Sequence, residues 1–168
     1  MILLILAVLC LLMAVRWFRF TVCNLAYIVA HPFRIKRGRR RLRAFCTIGN
    51  LVAFDTWVEL KFHYKKDRID YADWPLVFAM KWDKKDLKMK WNGDCDAVAS
   101  LAWYWAKEKN LHASYVSIKR PKPLVGHAVC LIKEDGVMWD MVDLTGVVLF
   151  MGWDVHYPGC KIIIRKTR

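Results

Sequence analysis

The alternation of hydrophobic and polar positions changes character several times along the chain. Residues 1–15 are uninterrupted apolar (MILLILAVLCLLMAV), and a membrane-spanning helix needs about 20 such residues. The run extends through 16–30, because Arg16 and Arg19 stand three apart on one helical face and their stems can snorkel to a headgroup layer. One helix starting near Ile2 is predicted, its second half tilted in the bilayer or lying at its surface. Residues 44–64 place Leu51, Phe54, Val58 and Phe62 near helical spacing and predict an amphipathic helix. Residues 65–93 show no period and read as loop, carrying Asp67, Asp70, Asp73 and Pro75, a lysine-rich stretch over 81–90, and a closing Asn92-Gly93 turn. From 95 to 107 the helical period returns in Val98, Leu101, Ala102 and Trp105, with Asp94 placed as N-cap and Lys107 and Lys109 at the C-terminal end. The period then falls to two, predicting strands over 113–118, 127–133, 137–143, 147–151 and 161–165. Helices followed by an antiparallel sheet form an α+β order.

Composition divides the same chain differently. Its 168 residues are 57% apolar and carry a net charge of +13. Residues 1–43 contain no acid and hold +9 of that charge, seven of the bases falling in RIKRGRRRLR at 34–43. Three parts follow: 1–33 a transmembrane or membrane-interfacial anchor, 34–43 a basic juxtamembrane segment, and 44–168 one soluble domain. Bases beside a span stay on the cytoplasmic side, which predicts a single-pass protein with a cytoplasmic domain. The block from Arg34 to Arg43 would also draw anionic lipid, at about 1 kcal/mol per base. A cleaved signal peptide would carry its bases before the apolar run. Nucleic-acid binding would account for the block but leaves the apolar run without a role. Nine Trp and eight Phe exclude a disordered chain. The six cysteines (10, 23, 46, 95, 130 and 160) form no C-x-x-C pair, so no metal knuckle is expected.

One cysteine occupies a chemically distinct place. Cys95 opens the 95–107 helix directly after Gly93-Asp94, where free N–H groups and the positive dipole end favour a thiolate. Asp94 and Asp96 oppose that by like-charge repulsion, so an imidazolium would have to complete the activation. The second part of the pattern is the hairpin HAVCLIK-EDG-VMWDMVD. A three-residue turn at Glu134-Asp135-Gly136 would set His127 directly opposite Asp143, and Cys130 opposite Asp140. A carboxylate there can accept from the imidazole and fix its tautomer. Nucleophile, base and orienting acid are then all present.

Gly93-Asp94-Cys95-Asp96, then Gly126-His127-Ala128-Val129, then Trp139-Asp140-Met141-Val142-Asp143-Leu144-Thr145 resemble the blocks of the transglutaminase-like cysteine peptidase superfamily. Phe62-His63-Tyr64 with Asp67 is similar to that superfamily's aromatic approach to its site. The resemblance covers about residues 50–145. It implies a papain-like core, a nucleophile helix packed on an antiparallel sheet, with Cys95 as nucleophile, His127 as general base and acid, and Asp143 as orienting carboxylate. It implies a protein or peptide substrate cleaved through a thioester, and no cofactor. Calcium-dependent members carry a second acid two residues after the cysteine, where this chain has Ala97, although Asp96 and the aspartates at 67, 70 and 73 leave calcium open. Leu144 replaces the usual proline.

The chain contains no glutamine, so a papain-type glutamine cannot serve the oxyanion. The Cys95 backbone N–H can supply one donor, with Trp91, Trp82 and Trp57 as candidates for the second, Trp91 nearest in sequence, and Asp94 beside them. His63, His112, His31 and His156 read as surface, membrane-proximal or turn residues. The reading is a membrane-anchored cysteine hydrolase, a peptidase in preference to an amide transferase. Its alternatives are a catalytically inactive membrane-tethered binding or assembly domain of the same fold, and a cationic membrane-active or nucleic-acid-binding protein that would rest only on residues 1–43.

Overall fold

The computed structural model describes residues 16–64, 74–81, 91–119 and 126–167. Its elements run α1 (Arg16–Ala30), α2 (Pro32–Cys46), α3 (Leu51–Lys61), β1 (Phe62–Tyr64), α4 (Pro75–Lys81), β2 (Trp91–Gly93) and α5 (Cys95–Glu108). They continue with β3 (His112–Lys119), β4 (Gly126–Lys133), β5 (Asp140–Asp143), β6 (Gly146–Leu149), α6 (Trp153–His156) and β7 (Lys161–Thr167). The class is α+β: helices precede a five-stranded sheet of order β6-β5-β4-β3-β7, antiparallel throughout. A second, parallel pair joins β1 to β2.

Side-chain alternation gives the large sheet two apolar faces. Ala113, Ala128, Cys130, Ile132 and Val142 pack into one cluster with α5, whose predicted stripe of Val98, Leu101, Ala102 and Trp105 is fully buried. Val116, Ile118, Val129, Leu131 and Met141 form the other cluster, against which Trp139, Phe150, Trp153 and Tyr157 pack. Trp105 anchors the first cluster. Its indole Nε1 donates to Ile48 O at 3.0 Å and its ring lies 5.5 Å from that of Phe54, so the one polar atom of a buried tryptophan is satisfied.

Several boundaries differ from the expected ones. The helix expected over 44–64 is the end of α2, a link, α3 and β1. Asn50 interrupts it by capping, its Oδ1 accepting from Ala53 N at 2.9 Å, which ends any continuous helical ladder at that point. The expected loop over 65–93 contains α4 and β2. Val77, Phe78, Ala79 and Met80 of α4 are all buried, and so short an apolar run shows no period in sequence. Toward the N-terminus α1 ends at Ala30, where the run expected to be helical also ends, and a further helix, α2, starts with Pro32, which fits the first helical position because its missing N–H is not needed there. Among the described residues no helix is long and apolar enough to cross a membrane, and residues 1–15 lie outside them.

The basic block at 34–43 is helical and packed. Gly38, Arg41, Leu42 and Phe45 of α2 are buried, and a Cβ at Gly38 would meet Met80 Cγ at 2.6 Å, so only glycine admits the approach of α4. Arg41 donates to Ala79 O at 3.0 Å.

Helix α3 is tied to the sheet at two points. Leu51 N donates to both Glu134 carboxylate oxygens at 3.2 Å, and Asp55 Oδ1 accepts from Val147 N at 2.7 Å. Gly146 has φ of +122°, and a Cβ there would collide with the Asp55 carboxylate. Gly146→Ala should therefore destabilise the fold by about 1–3 kcal/mol. Urea midpoints would show this, and in an Asp55→Ala background the added cost should shrink toward that of backbone strain alone.

Candidate active site

The expected β4–β5 register is corrected. Cys130 pairs with Val142 and Ile132 with Asp140, not Cys130 with Asp140 and His127 with Asp143. The turn is longer than three residues because Asp135 organises it: its Oδ1 accepts from Val137 N at 2.8 Å and Met138 N at 3.0 Å, with Gly136 at φ +75°. Those bonds hold the exposed Asp135 carboxyl below its ordinary pKa. The shift amounts to two residues, and an even shift leaves every side chain on its expected face. Continued by one residue, the observed register sets Asp143 opposite Val129 and makes His127 its diagonal neighbour, within reach of a long side chain.

The contact itself forms. His127 Nε2 lies 2.9 Å from Asp143 Oδ1, and the Tyr157 hydroxyl donates to Asp143 Oδ2 at 3.1 Å. Leu144 N also donates to Asp143 Oδ1. Burial pushes the Asp143 carboxyl up, but the His127 ring, the Leu144 N–H and the Tyr157 hydroxyl outweigh it and hold the group below its ordinary value. The ring of Tyr157 stands 5.6 Å from that of His127. Tyr157 carries no sequence signal of this role. It lies 14 residues beyond Asp143 in a segment that reads as a Tyr-Pro-Gly turn.

Cys95 reaches the same strand end from the α5 side, where the backbone of Ala128, the residue after His127, bonds its sulfur. The alternation of β4 puts His127 on the face of Val129 and Leu131. The helix start places Cys95 as predicted, but its electrostatics differ from the expectation of a stabilised thiolate. Burial first, and then Asp96, Asp94 and Asp143, push the thiol up to about 12 against the pull of the Ala128 bond. It is a neutral thiol at rest.

The preceding glycine is a packing requirement: a Cβ on Gly93 would come within 2.6 Å of Phe78 and 2.8 Å of the Ala97 Cβ. Asp94 occupies the cap position of α5 but makes no side-chain cap bond. Its Oδ1 is buried and has no hydrogen-bond partner among the described residues.

The remaining expected residues fare unevenly. Trp91 is placed by its backbone in β2, paired with Phe62. Trp57 packs in the core, 4.8 Å from the ring of Phe45. Trp82, Asp67, Asp70, Asp73 and residues 82–90 of the lysine-rich stretch lie outside the described residues. Ala97 is buried beside Gly93. Among the described residues no group of three or more His, Cys, Asp or Glu could hold a metal ion. Cys23, Cys46, Cys95, Cys130 and Cys160 are free thiols.

Two thiols of raised pKa, the buried Cys130 and the half-buried Cys95, give the fold an alkaline limit. Burial also raises the pKa of Cys130. Above about pH 9 the unfolded chain releases both protons while the native chain retains them, so stability falls as pH rises, by up to about 1.4 kcal/mol per pH unit for each thiol. Urea midpoints at neutral pH and at about pH 10 should show the loss.

A scan against protein-family models and a search of the curated proteins each return no match.

Proposed function

We propose that this chain is a cysteine hydrolase of transglutaminase-like, papain-related architecture that cleaves amide bonds of a protein or peptide through a thioester. The observation that carries the reading is the His127–Asp143 contact at 2.9 Å, formed at the strand end where the Cys95 sulfur meets Ala128. Asp143 engages Nε2, which leaves Nδ1 as the nitrogen that moves protons. As the Cys95 sulfur attacks the carbonyl carbon, the His127 ring, at the end of β4, must reach round the strand for Nδ1 to take the thiol proton, and the anionic Asp143 stabilises the imidazolium. The proton then passes to the departing amine as the C–N bond breaks. Water, giving a proton to the same nitrogen, attacks the thioester and releases acid and thiol. A thiol that is neutral at rest suits this order, because its proton leaves only during attack. The Cys95 backbone N–H is one donor to the developing oxyanion, and Trp91, whose backbone lies in β2, is the candidate for the second.

Two observations favour a second reading, a non-catalytic binding domain of the same fold, the first being that His127 lies on the face of β4 away from α5. The second is that Asp94, Asp96 and Asp143 all oppose ionisation of Cys95. Intact-mass measurement of the full chain incubated with a panel of peptidyl thioesters and activated esters separates the two. A hydrolase should accumulate an acyl adduct that maps to Cys95, is absent in Cys95→Ala, and forms far more slowly in His127→Ala. An added primary amine tells hydrolysis from transfer by the product formed. No adduct with any ester, or one indifferent to His127→Ala, supports the binding domain.

A further inference from the structure

Helix α2 presents a charged side that, among the described residues, the fold leaves exposed. Its buried residues, Gly38, Arg41, Leu42 and Phe45, share one side, and at about 100° per residue Lys36, Arg39, Arg40 and Arg43 fall on the other. All four are exposed, and the helix contains no acid. Among the described residues none of the four takes part in an ion pair. Globular surfaces ordinarily intersperse both signs of charge, and a single-sign face creates a field suited to an anionic partner.

Apolar side chains adjoin this face. Phe33 is 97% exposed, and Val29 and Leu25 of α1 are 78% and 47% exposed. The α1–α2 corner that sets Phe33 outward is fixed: His31 stacks on Tyr27 at 4.3 Å, and Arg34 donates to the Tyr27 hydroxyl at 3.3 Å. Beside the charged face lies a cleft of about 470 Å³, lined by Arg39, Leu42, Arg43, Trp74 and Tyr104 among others. Two guanidiniums at its mouth offer planar, bidentate donors for a phosphate, and the Trp and Tyr rings combine an apolar body with a polar tip, as residues at a membrane interface do.

We infer that the outward face of α2, with Phe33 and the Arg39–Arg43 cleft, docks on an anionic phospholipid bilayer and seats a lipid phosphate between the two arginines. A flat anionic surface meets the whole row of cations at once, and exposed apolar residues beside them enter the headgroup layer. The apolar run at 1–15 leads directly into α1. This goes beyond the hydrolase reading and stands without it. It also relates the site to the surface: Cys95 opens the same helix that carries Tyr104, nine residues and about 14 Å of helix axis away.

Partition of the full chain into vesicles tests the inference, because any contribution from residues 1–15 is common to neutral and anionic lipid and cancels in the ratio. At near-physiological salt, phosphatidylcholine vesicles containing phosphatidylglycerol should bind at least about 100-fold more tightly than phosphatidylcholine alone. The Arg39→Glu/Arg40→Glu/Arg43→Glu variant should lose most of that preference while keeping its binding to neutral vesicles and its unfolding midpoint. Equal binding to both compositions, or a preference unchanged in the variant, overturns the inference. A single-stranded RNA that binds as tightly as the mixed vesicles and strips the chain from them overturns it in favour of nucleic acid.

Discussion

Cys95→Ala should lower turnover of an amide or ester substrate by at least about a thousandfold, and His127→Ala by a similar factor. Removing one member of a unit that acts together costs nearly as much as removing all of it. The double variant should consequently be little worse than either single one, whereas independent contributions would multiply. Asp143→Asn is the more diagnostic change. It deprives the imidazole of its 2.9 Å carboxylate partner and should lower turnover by about a hundredfold or more. Yet Asp143 is also one of the charges that raise the Cys95 thiol. The same variant should therefore alkylate faster with iodoacetamide on the alkaline side of neutrality. Slower turnover with faster alkylation at an unchanged urea midpoint marks a positioning carboxylate, whereas one that merely holds the fold would lower that midpoint, since unfolding also slows turnover and exposes the thiol. Steady-state kinetics with alkylation rates read by mass over a pH series would show the split.

Trp105→Ala should destabilise the chain by about 3–5 kcal/mol, the range for truncating a large buried aromatic. Trp105 is fully buried, and its removal strips the packing partner from Phe54 and leaves Ile48 O without its indole donor. Trp105→Phe keeps much of the volume and forfeits only the hydrogen bond, so it should cost about 1–3 kcal/mol. Urea denaturation monitored by far-ultraviolet circular dichroism would measure both, with an unchanged slope showing that the loss lies in the native state.

The legible parts of the sequence were those with a sustained period or a forced local geometry. The buried stripe of α5 could be read from Val98 to Trp105, and each expected strand corresponds to an observed one, with β5 beginning at Asp140 instead of 137. Boundaries set by single side chains were harder to read. Asn50 ends one helical register and starts another, and nothing in its spacing announces that. Helix α4 was hidden because its apolar residues are consecutive and buried nearly all round. The His127–Asp143 contact was anticipated through a register two residues away from the real one, and it survived because the error was even. An Asp135-centred turn, unlike a glycine-centred one, has no reliable length signature. Tyr157 became visible only when the chain returned over the second face of the sheet. The acidity of Cys95 departs from what a helix start alone favours for a physical reason: the dipole effect there is modest, and burial together with three carboxylates, of which Asp94 and Asp96 are readable in the sequence as opposing charges, exceeds it.

The bonds that tie α3 to the sheet also impose an order of assembly. The Glu134 carboxylate that accepts from Leu51 N comes 83 residues later in the chain, and Asp55 waits 92 residues for Val147. During synthesis α3 therefore leaves the ribosome with both of these partners still untranslated. Long loops of this kind slow folding more than they weaken the finished structure. A nascent chain stopped before residue 134 would lack both ties, and α3 would be held by its packing on α2 and α5, as in the ring contacts of Phe54 with Phe45 and Trp105.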